Sequence, residues 1–422
     1  MKKLFRLFLI LFLGLVPMLS MAQLTFKGEL RPRTEYRHGL KSLFNSTDEA
    51  ALFTSQRTRL NLNYNDSKFR VGLSLQDVRV WGDVAQLNMS DKNQLMLHEA
   101  WGEIIFNESL SLKVGRQELV YDDSRILGNV GWAQQARSHD LALLKFKTDE
   151  NGQFHFGLAV NNDSEALKKT LYTTNYKNMQ FAWYHRKADK FDFSLLFMNV
   201  GVQVDVNAGV GVADLESRYN QTFGTILNYR PGKLSLTGSL YAQTGEHASG
   251  KDVSAHMFNL GMNFPIGAGW KGNAGVEVLS GTDSNAGANS DYESFTPLFG
   301  TNHKFNGHMD YFYVGNHVGS VGLQDIYGGI NYGKDKFSFA TAIHLFSTQA
   351  DLYSGADKQD KYLGTEVDLS VGYKYSENVL FKAGYSHMFA ADSMQVLKGG
   401  DKDETQNWGW VMLVFTPDFL KR

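Results

Sequence analysis

The chain contains no cysteine, only six prolines in 422 residues, and no excess of either charge. Its 42 Lys and Arg face 44 Asp and Glu, a formal net charge of −2. Without cysteine there is no disulfide framework, no thiolate metal site, no cysteine nucleophile and no lipid-modified N-terminal cysteine. The balanced charge excludes a broadly basic nucleic-acid binder and an acidic tail protein. Long apolar runs are missing too. Beyond Gln23 nothing approaches the roughly 18 apolar residues of a spanning helix, and mean hydropathy is −0.31. Glycine and aromatics are abundant instead: 41 Gly, 29 Phe, 19 Tyr and 7 Trp.

The first 22 residues read as a targeting segment. Met1–Lys3 with Arg6 is basic, Leu7–Val16 is apolar but for Gly14, and Ser20-Met21-Ala22 offers small residues at the positions a signal peptidase reads. The apolar run is short for a membrane anchor and no stop-transfer pattern follows it. Residues 1–22 are therefore expected to be a signal peptide. Residues 23–422 form one exported domain carrying a charge of −5.

Period 2 dominates that domain. From Leu24 to Tyr36 one parity reads Leu24, Phe26, Gly28, Leu30, Pro32, Thr34, Tyr36, and the other Thr25, Lys27, Glu29, Arg31, Arg33, Glu35, Arg37. Such a strand has one face for hydrocarbon and one for water. Leu60, Leu62 and Tyr64 oppose Arg57, Arg59, Asn61 and Asn63 in the same way. So do Leu363, Val367, Leu369, Val371 and Tyr373 against Glu366, Asp368, Ser370 and Lys374. Short polar punctuation falls at Asn65–Lys68, Asn107–Leu110, Asp149–Gly152, Lys187–Lys190, Arg230–Lys233, Pro265–Trp270, Gly333–Lys336 and Ser376–Val379. Each is placed as a tight hairpin turn. Eight such turns join sixteen strands, and Leu24–Arg37 and Gln406–Phe415 add one at each end. A hairpin hidden near His303–Gly315 would raise the count to twenty.

The expected fold class is all-β: a transmembrane, antiparallel, up-and-down β-barrel of about 18 strands with short periplasmic turns and longer extracellular loops. The longest loop is placed at about 283–322. Aromatics near strand ends, among them Trp81, Tyr121, Trp270 and Trp408, suit the two membrane interfaces. A soluble propeller would show a blade signature at fixed period, and none is visible. The implied location is the outer membrane of a Gram-negative bacterium, with outer-membrane lipid and lipopolysaccharide around a monomeric barrel.

An eighteen-stranded barrel is too wide for side chains to fill, so function rests on the lumen. Ten of the fifteen arginines lie between Arg31 and Arg137. Arg31, Arg33, Arg57, Arg59 and Arg70 fall on the polar parity, and Arg79, Arg116, Arg125 and Arg137 complete the proposed lumen lining. Alternation slips near Gln76–Val78 and at Gly115, where a bulge would reset the face that Arg79 or Arg116 occupies. Guanidinium forks match carboxylates and stay charged, so one wall of them offers successive shallow contacts to an anionic chain. The competing reading is pairing with Glu29, Glu35, Glu99 and Glu103 on neighbouring strands.

The stretch from Leu112 to Asp140 is the most distinctive. Its Gly115-Arg116-Gln117-Glu118-Leu119 start, Tyr121-Asp122-Asp123-Ser124-Arg125, Gly128, Trp132, Arg137 and Asp140 resemble the alginate export family of outer-membrane barrels. Gln76-Asp77-Val78-Arg79-Val80-Trp81-Gly82, His98-Glu99-Ala100-Trp101 and the run from Phe299 to Asp310 share the resemblance, which spans essentially the whole mature chain. It implies an eighteen-stranded monomeric barrel with an arginine-rich, anion-selective conduit for a uronic-acid polysaccharide.

The long loop, through Phe299, His303, Phe305, His308 and Asp310, is a candidate gate. The five-residue spacing of His303 and His308 fits no standard metal site, and Asp283, Asp291 and Glu293 leave surface calcium binding as a minor alternative. No cofactor or metal is expected. There is no G-x-S-x-G elbow, H-E-x-x-H or P-loop, and neighbours such as Ser138-His139-Asp140 point to opposite faces of a strand. The expectation is a non-enzymatic channel for an anionic oligo- or polysaccharide. A general small-solute porin and a rim enzyme are the alternatives.

Overall fold

A computed structural model describes residues 23–87, 90–92, 95–208 and 213–421. The signal-peptide expectation, residues 1–22, lies outside the described residues. Eighteen antiparallel strands follow one another around a closed barrel. They are β1 Gln23–His38, β2 Ala51–Asn65, β3 Phe69–Val80, β4 Met96–Ile105, β5 Leu110–Gln117, β6 His139–Lys147, β7 Gly152–Val160, β8 Asn178–Ala188 and β9 Phe191–Asp205. The second half comprises β10 Leu215–Tyr229, β11 Ser235–Glu246, β12 Asp252–Gly267, β13 Trp270–Leu279, β14 Leu323–Lys334, β15 Phe337–Ser347, β16 Tyr362–Ser376, β17 Val379–Ala390 and β18 Asn407–Phe415. Every strand pairs with its sequence neighbours, so no edge is left in hydrocarbon.

The seam joins β1 to β18, with Thr34 opposite Val411 and Leu30 opposite Phe415. Below it, after Thr416-Pro417, the segment Asp418–Lys421 continues along β1, with Phe26 opposite Leu420. Gly28 makes room there: a Cβ would lie 2.8 Å from the Phe419 ring.

All eight short turns fall where the polar punctuation places them. Tight hairpins demand positive φ, and the β12–β13 turn supplies it at Ala268 (49°) and Gly269 (90°). The strands exist because period 2 matches a wall with two environments. On β9, Phe191, Leu195 and Phe197 face outward and are exposed, whereas Ser194, Leu196 and Met198 point inward and are buried. Residues 303–315 hold no strand among those described, so the count stays at eighteen.

Nine longer loops lie at the other end; two of them, L3 (residues 118–138) and L7 (280–322), turn back into the bore. Leu119, Ile126 and Leu127 of L3 are buried with Phe295, Met309, Tyr311 and Phe312 of L7. They join inward-facing Met179, Phe181, Met198, Phe346, Trp408 and Trp410 in one apolar cluster. The barrel thus holds a packed core within its lumen, at the level of the two loops.

Candidate functional site

L3 and L7 are stitched to each other across the bore. Gly128 N–H donates to Phe299 O (2.9 Å), Phe299 N–H to Ile126 O (3.0 Å) and Thr301 N–H to Ser124 O (2.8 Å). Arg137 donates to Gly300 O (3.2 Å) and lies over the Phe299 ring. Burial lowers the Arg137 pKa from its ordinary value.

The β1–β2 wall grips L3 by its backbone. Arg31 donates to Gly131 O (2.8 Å), Trp132 O (3.1 Å), Ala133 O (3.2 Å) and the Gln134 side chain (2.9 Å). Arg33 donates to Trp132 O (2.8 Å) and to Glu35, and Arg57 to Glu29 (2.6 Å) and the Gln134 carbonyl. Trp132 itself sits in a box. The Arg33 guanidinium lies 4.1 Å from its centroid, His303 stacks at 4.7 Å, and Trp408 and Trp410 meet it edge-on at 5.7 and 4.9 Å. These arginines face inward as their parity predicts, yet their donors hold a loop.

On the far wall, Arg125 of L3 reaches Glu277 of β13 and also donates to Asp123 (2.8 Å), with its guanidinium 4.1 Å from the Phe305 ring. Burial alone would depress the Arg125 pKa; Glu277 and Asp123 outweigh it and hold it above its ordinary value. L7 is fixed nearby. Met309 N–H donates to Glu366 (2.8 Å), Asn306 approaches Asp325 (3.4 Å), and Asp310 accepts from His303 (2.6 Å). His308 lies 3.7 Å from Asp368, and burial pushes its imidazole below the ordinary value. The five loop residues expected to gate the channel therefore all belong to this assembly inside the barrel.

Two expected lumen residues face the other way. Arg79 pairs across from Gln56 without any register shift, on the parity of outward-facing Leu73 and Leu75, and forks onto Asp77 (2.6 Å) and Asp91 (2.9 Å). Arg116 sits opposite Ala100 and Asp140 and binds Asp140 (2.7 Å), their side chains 42% and 59% exposed. These placements correct the lumen assignment of Arg79 and Arg116. Both lie at the long-loop ends of their strands, above the apolar band, where an outward polar residue meets water or lipid headgroups rather than hydrocarbon.

On the short-turn side of L3 the inward faces of β2–β7 carry a second set of charges. Arg59 donates to Gln76 (2.6 Å) and approaches Glu118 (3.7 Å). Arg70 and Lys145 share Glu103 (3.5 and 3.0 Å), and Lys113 stands 3.8 Å from the Trp101 centroid. Burial would raise the Glu118 carboxyl, but hydrogen bonds from His98 and Asn129 hold it below its ordinary value. The acids Glu277, Asp325, Glu366 and Asp368 on β13, β14 and β16 face the lumen from the opposite wall. Sequence reading did not single out Lys113, Lys145, Glu277 or Asp325. Their one available signal was polarity on the inward parity.

Comparison with known proteins decides the family. The alginate export family model matches residues 22–406. The chain belongs to the alginate export family. Among solved structures, this alginate export family barrel resembles a BenF-like porin from Pseudomonas fluorescens Pf-5, with TM-score 0.62 and 13% identity over 94% of this chain and 99% of that one. Acinetobacter baumannii OccAB4 gives 0.63 and 12% over 96% and 100%, and Pseudomonas aeruginosa OpdK, solved with vanillate, gives 0.57 and 11% over 93% and 99%. At such identities the likeness is one of fold. No curated protein sequence matches. The alginate export family protein is an outer-membrane, porin-like eighteen-stranded barrel.

Proposed function

We propose that the barrel passively conducts anionic solutes, a carboxylated polysaccharide such as alginate before others, from a Gram-negative periplasm or surface across the outer membrane. The observation that carries this reading is family membership over residues 22–406. Support comes from the basic side chains on the inward face of β1–β6, Arg31, Arg33, Arg57, Arg59, Arg70, Lys113 and Lys145. In the docked arrangement Arg31, Arg33 and Arg57 spend donors on L3, so conduction of a polymer requires L3 and L7 to move; Arg125 and Arg137 then move with L3. The protein acts as a monomeric channel without enzymatic activity or cofactor, driven by the solute's own gradient. A small-carboxylate porin is the second reading, favoured by the fold likeness to OpdK, whose structure contains vanillate.

The test is current through single channels in a planar bilayer under a salt gradient, before and after alginate oligomers are added. Anion selectivity with block by the oligomers is expected. A cation-selective or unblocked current refutes the polysaccharide reading.

A further inference from the structure

We infer that the short-turn side of the lumen holds a binding subsite for a carboxylate-bearing, hydroxylated six-membered ring, built by Lys113, Gln117 and Trp183 beneath L3. The inference rests on the anion-channel reading and gives it a specific place. A cavity of about 260 Å³ lies between β5, β6, β7, β8 and the first residues of L3. It shares Lys145, Gln153 and His155 with a second cavity of about 460 Å³ that reaches the β4–β5 turn. Together they form a path from the short-turn mouth to the underside of L3.

Three features of the inner cavity point to a ligand. First, the Lys113 ammonium rests over the Trp101 ring at 3.8 Å, and no described carboxylate lies within ion-pair distance of it. Its neighbour Lys145, by contrast, is bound to Glu103 at 3.0 Å. A cation left over an aromatic face inside a lumen keeps its full capacity for a carboxylate. Second, Gln117 is fully buried and its Oε1 has no hydrogen-bond donor among the described residues, although its amide nitrogen reaches Gly115 O and Leu141 O (3.3 Å each). A buried acceptor left unpaired is costly, and a solute hydroxyl would satisfy it. Third, Tyr121 and Trp183 stack edge-to-face at 4.9 Å, Tyr121 OH meets His155 (2.9 Å), and Trp183 Nε1 donates to Asp122 (3.0 Å). Trp183, its plane stacked on His185 at 5.4 Å, and Tyr121 border the cavity as a fixed apolar wall beside which a six-membered ring can lie.

The two acids that line the cavity, Glu118 and Asp122, are both engaged by donors of the protein and turned to them rather than to a solute. Glu118 already accepts from His98 (2.7 Å) and Asn129 (2.7 Å). Asp122 is held by the Trp183 indole N–H (3.0 Å). A uronate unit and a small hydroxylated aromatic acid share the chemistry this site accepts. The experiment separates them.

Saturation-transfer NMR on the whole barrel in detergent micelles reads millimolar binding without requiring current. A uronate trimer and vanillate are titrated separately against the wild type and against Lys113→Gln, Gln117→Met and Lys190→Gln, with folding checked by the heat-dependent gel shift of barrels. Wild-type binding is expected, weakened about tenfold or more in Lys113→Gln, since a charge-assisted hydrogen bond contributes at least that factor. Gln117→Met weakens it several-fold, and Lys190→Gln at the β8–β9 turn leaves it unchanged. Trimer binding alone assigns the site to the polymer, and vanillate binding alone to a small acid. Binding that Lys113→Gln does not change, or wild-type binding of neither ligand, overturns the subsite. Because the bilayer experiment reads selectivity and this one reads occupancy, failure of either is distinguishable from failure of the other.

Discussion

Replacing Arg125 by Met should loosen both loops while leaving the barrel intact. Arg125 is the cation between L3 and the β13 wall, and Glu277, 3% exposed, loses it in the variant. Breaking a buried pair from one side costs about 3–5 kcal/mol. An independent bound follows from protonation. A carboxyl with an ordinary pKa of about 4.3 takes up a proton at pH 7 for about 3.7 kcal/mol, and relief by that route caps the electrostatic loss. Lost stacking on Phe305 adds about 0.5–2 kcal/mol. Together these come to about 3.5–5.7 kcal/mol, and at about 1.4 kcal/mol per decade docked-to-released ratios should fall by roughly 300- to 10⁴-fold. Hydrogen exchange in peptides from 118–138 and 280–322 reads this directly, with β9 and β10 peptides as an unchanged reference. The double variant Arg125→Met with Glu277→Leu removes the stranded charge and should recover most of the protection. Wild-type exchange in the single variant, or no recovery in the double, refutes the reasoning.

Arg31→Met removes the donors to three L3 carbonyls and should release the 131–134 tip by about 1–3 kcal/mol, seen as faster exchange there and larger mean current. Gly384→Val places a side chain where a Cβ would already lie 2.5 Å from the Trp410 indole; displacing that ring from Trp132 should cost about 1–3 kcal/mol and lower the midpoint of heat-induced gel shift. Burial holds His317 near a pKa of about 3, so below pH 6.5 released L7 takes up a proton that docked L7 refuses. Docking therefore weakens as pH falls from about 6.5 towards 3, by about 2 kcal/mol at pH 5; limited proteolysis of L7 should accelerate there, and His317→Gln should flatten the response. Arg79→Gln should leave anion selectivity unchanged in the bilayer, whereas Arg59→Gln should reduce it.

The barrel was legible because its determinants are local. Alternation and turn residues act over a few positions, and they placed eight turns and eighteen strands. The lumen assembly was not legible in the same way. Nothing near Arg31 in sequence announces that Gly131–Gln134 will lie against it, about a hundred residues away. Arg79 and Arg116 were misplaced because the rule that polar residues face inward holds only within the hydrocarbon band. Above it, the outward face is polar as well, as Asp77 and Asp140 confirm. The break in regularity near Gln76 is real but belongs to the pairing with β4, where register shifts between Ser74 and Leu75. The pairing with β2, which sets the face of Arg79, stays regular.

The seam between β1 and β18 has a kinetic meaning. Every other pairing in the wall joins strands adjacent in sequence, whereas Thr25 and Lys421 are brought together from opposite ends of the chain. Loop-closure entropy makes that contact the last and slowest to form. Until it does, β1 and β18 are open edges able to pair with other strands. Joining the two ends through a short linker and opening the chain at one of the eight tight turns would make the seam a local hairpin. Such a permutant should close faster than the natural order while reaching the same barrel.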